Sequence, residues 1–253
     1  MSTKSRAKSQ EMRRARAEAE QKRKQRQRIL TGVGIVVILA LVAAIVFVVV
    51  RAATGEDPER GSTGDVVVPS AANDDGGVLV GSADAPVTVT IYYDYMCPAC
   101  GAFEEANSAE LDRLLEDETV QVELRPISFL DRTSQGTKYS TRAANAFATV
   151  ADGAVEQAWD FHGAMYENQP EEGTTGLSDD QIASIAEDAG VPDDVVAEFT
   201  DGRFEGWVAE VTENAFDSGV TGTPTVLVDG EPFEGDLYQA GPLTQAIEAA
   251  ADK

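Results

Sequence analysis

The chain of 253 residues contains two cysteines, and both lie in the stretch YYDYMCPACGAFEE, residues 92–105. Cys97 and Cys100 are separated by Pro98 and Ala99. Three chemistries use a pair at this spacing: a thiol–disulfide redox couple, half of a metal site, or a small structural disulfide. A zinc site needs about four ligands. With no other cysteine and with His162 as the only histidine, carboxylates would have to complete such a site. A structural disulfide closing so short a loop removes little chain entropy. A chain this long can bury a core without such staples. These points favour the redox couple, and the elements around the motif decide how well it could work.

Val87–Tyr93, VTVTIYY, is rich in β-branched and aromatic residues and predicts a strand running directly into the motif. Pro98 suits the first turn of a helix. Cys97 then occupies the N-cap, beside unpaired backbone N–H groups and the positive end of the helix dipole. Both favour thiolate. A cysteine of pKa about 8.5 is only about 3% ionised at pH 7, and lowering that pKa by three units stabilises the thiolate by roughly 4 kcal/mol. The shift makes the thiolate a better leaving group and the disulfide more oxidising. Cys100 falls one turn later on the same face, within disulfide reach. It is expected to be the more buried and less acidic of the two. Cys97 would meet the substrate and Cys100 would resolve the mixed disulfide.

The remaining pattern is mixed α/β. A helix of about 17 residues should follow Cys97, with Phe103, Leu111, Leu114 and Leu115 available for its inner face. Val120, Val122 and Leu124 alternate, predicting a strand that stops before Pro126. A helical block runs from about Lys138 to Ser218. It carries the stripes Tyr139, Ala143, Phe147, Val150 and Trp159, His162, Met165, Tyr166. Ser178 with Gln181 reads as a capping box. Phe204, Trp207, Val208, Val211 and Ala215 mark a further amphipathic helix. Thr225–Val228 is a short strand, Asp229-Gly230 a hairpin turn, residues 231–234 its partner strand, and Pro242 opens a last helix.

The N-terminal third is different. Residues 1–28 carry eleven Lys and Arg against three Glu and read as a basic cytoplasmic tail. The next 22 residues, Ile29–Val50, hold no charge and end at Arg51. As a helix they would rise about 33 Å, enough for a hydrocarbon core of roughly 30 Å. Residues 29–51 are therefore expected to be an uncleaved transmembrane signal anchor. The positive-inside rule keeps the N-terminus cytoplasmic and places the rest outside the cell membrane. Residues 52–76, rich in Gly, Ser, Pro and Asp, read as a flexible linker, with VVVPS as a candidate short edge strand. Residues 77–253 form the expected folded domain. Beyond Arg51 there are 8 basic and 41 acidic residues, a surface that excludes phosphate-directed nucleic-acid binding. The outer compartment is oxidising, so a disulfide can persist there.

Three segments together resemble the DsbA-like thiol:disulfide oxidoreductases: GSADAPVTVTIYYDYMCPAC at 81–100, AWDFHGAMYENQP at 158–170 and GTPTVLVDG at 222–230. The resemblance runs through residues 78 to 253 in the family's order. It implies a thioredoxin-like fold interrupted by a helical insertion at about 133–218. It implies Cys97 as nucleophile and Cys100 as resolving cysteine, with Pro98 and Ala99 tuning the potential. Thr223 and Pro224 fall on the substrate-facing loop, where the family has a cis proline. No cofactor or metal is implied. The implied partners are exported unfolded proteins and a quinone-linked membrane protein that reoxidises the dithiol. Two positions depart from the pattern. Strongly oxidising members have His where this chain has Ala99, and members often have a buried acid where this chain has Ile91. A reductase or isomerase of the same fold, and a non-redox chaperone-like binding module, are the alternative functions.

Overall fold

A computed structural model describes residues 66–252. The basic tail, the apolar run Ile29–Val50 and most of the expected linker lie outside the described residues. Among the described residues, no helix is long and apolar enough to cross a membrane.

Five strands form one sheet: β1 (Val78–Val80), β2 (Val87–Tyr93), β3 (Val120–Pro126), β4 (Thr225–Val228) and β5 (Glu231–Pro232), in the order β1-β3-β2-β4-β5. β2 is central. It pairs parallel with β3 and antiparallel with β4. All its residues except Thr88 are buried, as expected for a near-continuous apolar strand covered on both faces. Between β2 and β3 runs α1 (Pro98–Glu116), so the pair forms a βαβ unit whose first turn carries the cysteines. β3 continues one residue past the expected stop, and Pro126 stands in register with Tyr93. A proline is tolerated there because it is the last residue of the strand. The Ile127 N–H then donates to Tyr93 O at 2.8 Å, so pairing continues beyond the missing donor.

α1 is 19 residues long and buries Cys100, Phe103, Glu104, Asn107, Leu111 and Leu114, while Leu115 is half-buried. The helical insertion supplies α2 (Tyr139–Gly153), α3 (Ala158–Glu167), α4 (Asp179–Asp188), the short α5 (Asp193–Val196) and α6 (Glu205–Asp217). The stripe Tyr139, Ala143, Phe147 and Val150 is fully buried. Ser178 and Gln181 form the reciprocal capping box at the start of α4. α7 (Pro242–Ala251) returns to the sheet and buries Leu243 and Ile247.

Three expectations are corrected. Val66, Val67 and Val68 form no strand and are exposed, because no neighbouring strand pairs with them. The folded domain begins before residue 77. Ser70 N donates to Asp152 Oδ1 at 2.8 Å, Asn73 Nδ2 donates to Glu123 Oε1 at 2.6 Å, and Ala72 bridges to Val78. Asn, Asp and Gly there serve specific turns and caps, which composition alone reads as linker. Finally, β5 stops at Pro232 rather than residue 234, with one further cross-strand bond beyond it, from Phe233 N to Val226 O at 2.9 Å. The turn joining it to β4 has Asp229 at φ 50° and Gly230 at φ 80°, the left-handed pair that suits a tight hairpin.

Candidate active site

The sequence places Cys97 at the seam of strand and helix, and the fold keeps it there. Cys97 is the N-cap of α1, with Pro98 in the first turn. Its carbonyl accepts from Cys100 N (3.0 Å) and Gly101 N (3.2 Å), which starts the helix. The N–H groups of Ala99 and Cys100, the latter also bonded to Cys97 O, lie beside the sulfur and favour its charge. The two cysteines are unbridged. The Cys97 thiol is held low, at a pKa of about 6. The largest cause is the hydrogen bond from Cys100, followed on the same side by Thr223 and the N–H groups of Cys100 and Ala99. Partial burial opposes them.

Cys100 has the reverse environment. It is 1% exposed, and burial is the main reason its thiol is pushed well above the ordinary range. Its hydrogen bond to Cys97 and the negative charge developing there act in the same direction. A separation of three residues thus yields one cysteine that ionises readily and one that holds its proton.

The third component comes from far along the chain. The Thr223-Pro224 peptide is cis. Cys97 Sγ donates to Thr223 O at 3.3 Å, across 126 residues. The positions singled out in the sequence, Cys97, Pro98, Ala99, Cys100, Thr223 and Pro224, therefore meet in one place. The antiparallel register of β4 beside β2 makes this possible: Tyr92 pairs with Thr225, so the residues just before Thr225 stand at the end of β2 where the motif begins.

Two contributors escaped the sequence reading. Asp94, which the sequence could not connect to the cysteines, is 1% exposed. Its carboxylate accepts from Met96 N (2.8 Å), Leu130 N (2.8 Å) and Ser140 Oγ (2.7 Å). Burial pushes its pKa up to about 6, against the pull of those three donors. The negative charge of Cys97 adds a smaller push in the same direction. The Asp clamps the motif to the segment after β3 and to α2. No local pattern flags it, since two of its three donors lie 36 and 46 residues away. Gln169, just beyond α3, donates from Nε2 to Tyr95 O (3.1 Å) and Cys97 O (2.8 Å).

His162 is fully buried within an aromatic nest. Its ring stacks on Trp159 at 5.7 Å and meets the edge of Tyr93 at 4.6 Å. Nε2 pairs with Glu104 Oε1 at 3.1 Å, and Nδ1 lies 3.3 Å from Tyr95 Oη. His162 is thus a core residue with both ring nitrogens within reach of a partner. Among the described residues, no group of three or more His, Cys, Asp or Glu side chains is arranged to hold a metal ion.

Known proteins place the whole arrangement. The family model described as Thioredoxin matches residues 73–249. A stretch of 158 residues is 29% identical to the serine/threonine-protein kinase PknE of Mycobacterium tuberculosis, covering 59% of this chain but only 28% of that protein. Among solved structures, the MdbA thiol-disulfide oxidoreductase of Actinomyces oris superposes with a TM-score of 0.63 at 25% identity, covering 72% of this chain and 92% of MdbA. Oxidised DsbA of Mycobacterium tuberculosis superposes with a TM-score of 0.60 at 28% identity, covering 70% and 93%. The resemblance to DsbA-like proteins is thus matched by fold, and on the extent of the family match the chain belongs to the thioredoxin family.

Proposed function

We propose that the protein is a membrane-tethered, extracytoplasmic thiol:disulfide oxidoreductase that donates the Cys97–Cys100 disulfide to exported proteins. The observation that carries this reading is the opposed environment of the two thiols at the start of α1, facing Thr223 and Pro224. A substrate thiolate attacks Cys97 Sγ, the Cys97–Cys100 bond breaks, and Cys100 leaves and takes a proton. A second substrate thiolate then attacks its own mixed-disulfide sulfur. Cys97 departs as thiolate, which its surroundings favour. Two electrons move from the substrate dithiol to the enzyme. Thr223 and Pro224 line the substrate's approach, and Pro98 and Ala99 set the potential from within the motif. The names of MdbA and DsbA, a thiol-disulfide oxidoreductase and its relative, support the same chemistry.

Residues 29–51 serve as the single-pass anchor, residues 1–28 remain in the cytoplasm, and the folded domain carries out its reaction outside. A quinone-linked membrane protein is the expected acceptor of the electrons. The test is the reduction potential of the pair against a glutathione series. Reference values are about −120 mV for DsbA and about −270 mV for thioredoxin. A value above about −200 mV supports disulfide donation. A value near −270 mV would instead mean that Ala99, in place of a thiolate-stabilising histidine, marks a reductase.

A further inference from the structure

The segment AWDFHGAMYENQP carries, just before its final proline, a glutamine that the reaction above does not use. Gln169 lies outside the sheet unit, immediately after α3, and is half-buried. Its single amide nitrogen donates to two carbonyls of the active-site turn, Tyr95 O and Cys97 O. Cys97 O already accepts the two N–H bonds that start α1. The side chain thus pins both ends of the Tyr95–Cys97 turn to the helical insertion.

Gly101 gives independent support. It sits in the first turn of α1. It needs no unusual backbone angle, because its φ is not among the positive ones. What requires glycine is Gln169: a Cβ at 101 would collide with Gln169 Oε1 and come within 3.1 Å of its Cδ. The colliding atom is the tip of a flexible side chain, so an added methyl would displace the amide rather than the helix.

We propose that Gln169 is a positioning residue for the dithiol: by tying Tyr95 O and Cys97 O to the helical insertion, it holds the N-terminal turn of α1 in the geometry from which Cys97 reacts, and Gly101 is glycine to admit it. The proposal rests on the redox reading of Cys97 and Cys100. Without the tie, the turn loosens and the N–H groups of Ala99 and Cys100 align less well with the sulfur. The reduced form loses stability relative to the disulfide, so the pair becomes less oxidising.

The experiment uses the full chain and its equilibrium constant with glutathione, together with the pH titration of Cys97 thiolate absorbance. Gln169→Met keeps the side-chain size and removes the amide, and with it both bonds to the turn. It should shift the constant about tenfold toward the disulfide, equivalent to roughly 30 mV, and move the thiolate titration upward. Gly101→Ala should do the same from the opposite side while leaving the amide in the sequence. In a Gln169→Ala background, Gly101→Ala should change neither readout, because nothing remains to displace. If Gln169→Met folds and both readouts stay at wild-type values, the proposal is wrong. If Gly101→Ala shifts them equally with and without the Gln169 side chain, the tie is not the cause and the proposal is again overturned. A wild-type chain whose Cys97 does not exchange with glutathione would overturn the redox reading itself, which is a separate result.

Discussion

The two cysteines in the first turn of α1 sit in opposed environments. At Cys97 the chain turns from strand to helix, the N–H groups of Ala99 and Cys100 lie beside the sulfur and Thr223 stands across a small gap. At Cys100 the same helix has entered the core, and 1% of the residue remains exposed. Identical side chains are therefore driven in opposite directions, Cys97 down to about 6 and Cys100 well above its ordinary range. Helix termini stabilise anions only within the first turn. Burial penalises any charge it encloses. One turn is enough to pass from the first regime to the second.

The strongest way to break this comparison is to remove each sulfur in turn. Cys97→Ser should abolish thiol exchange, whereas Cys100→Ser should retain attack at Cys97 and accumulate a long-lived mixed disulfide with glutathione. Mass spectrometry of quenched samples distinguishes them. Equal behaviour of the two variants would mean that the asymmetry has no chemical consequence.

A second prediction concerns pH and stability of the reduced form. The Cys97 pKa is depressed from 9.0 to about 6 on folding. A depressed acid stabilises the fold fully above its unfolded pKa and loses that contribution as pH falls through its folded pKa. Relative to Cys97→Ser, reduced wild type should gain stability between about pH 6 and 9, approaching roughly 4 kcal/mol at the top. Urea unfolding across that window measures it. A flat difference would remove the thiolate from the account.

Asp94 offers a smaller perturbation. Its charge and that of Cys97 repel, which is among the causes raising Asp94 to about 6. Asp94→Asn should therefore lower the Cys97 thiolate titration below its wild-type midpoint. The same change sets an amide against one of three backbone or hydroxyl donors and should cost about 1–3 kcal/mol of stability. The direction of the thiolate shift is the critical observation, since general loosening would move it upward. The mildest variant is Ser140→Ala, which removes one of the three hydrogen bonds to Asp94. It should cost about 0.5–1.5 kcal/mol and leave Cys97 reactive.

How much of this could be read in advance follows the range of each interaction. β2 was legible to the residue because seven β-branched or aromatic positions run unbroken from Val87 to Tyr93. The N-cap placement of Cys97 was legible because a proline in the first turn marks a helix start. The capping box at Ser178 is equally local. Residues 69–76 were misassigned because their anchors, Asp152 and Glu123, lie far along the chain. Asp94 was left without a role and Gln169 passed over for the same reason.

By itself the sequence determined the alternation of strands and helices, the unequal stations of Cys97 and Cys100 on one helix, and the acidity of the folded part. These depend on periodicity, turn chemistry and charge, which act over a few residues. Only the tertiary structure decided what surrounds the dithiol: Thr223 opposite Cys97, Asp94 beneath the turn, Gln169 holding its carbonyls and the burial that sets Cys100 apart. Each of these requires distant segments to be brought within hydrogen-bond distance; the pairing of β4 with β2 brings Thr223, and the packing of the helical insertion against the sheet brings the partners of Asp94 and Gln169.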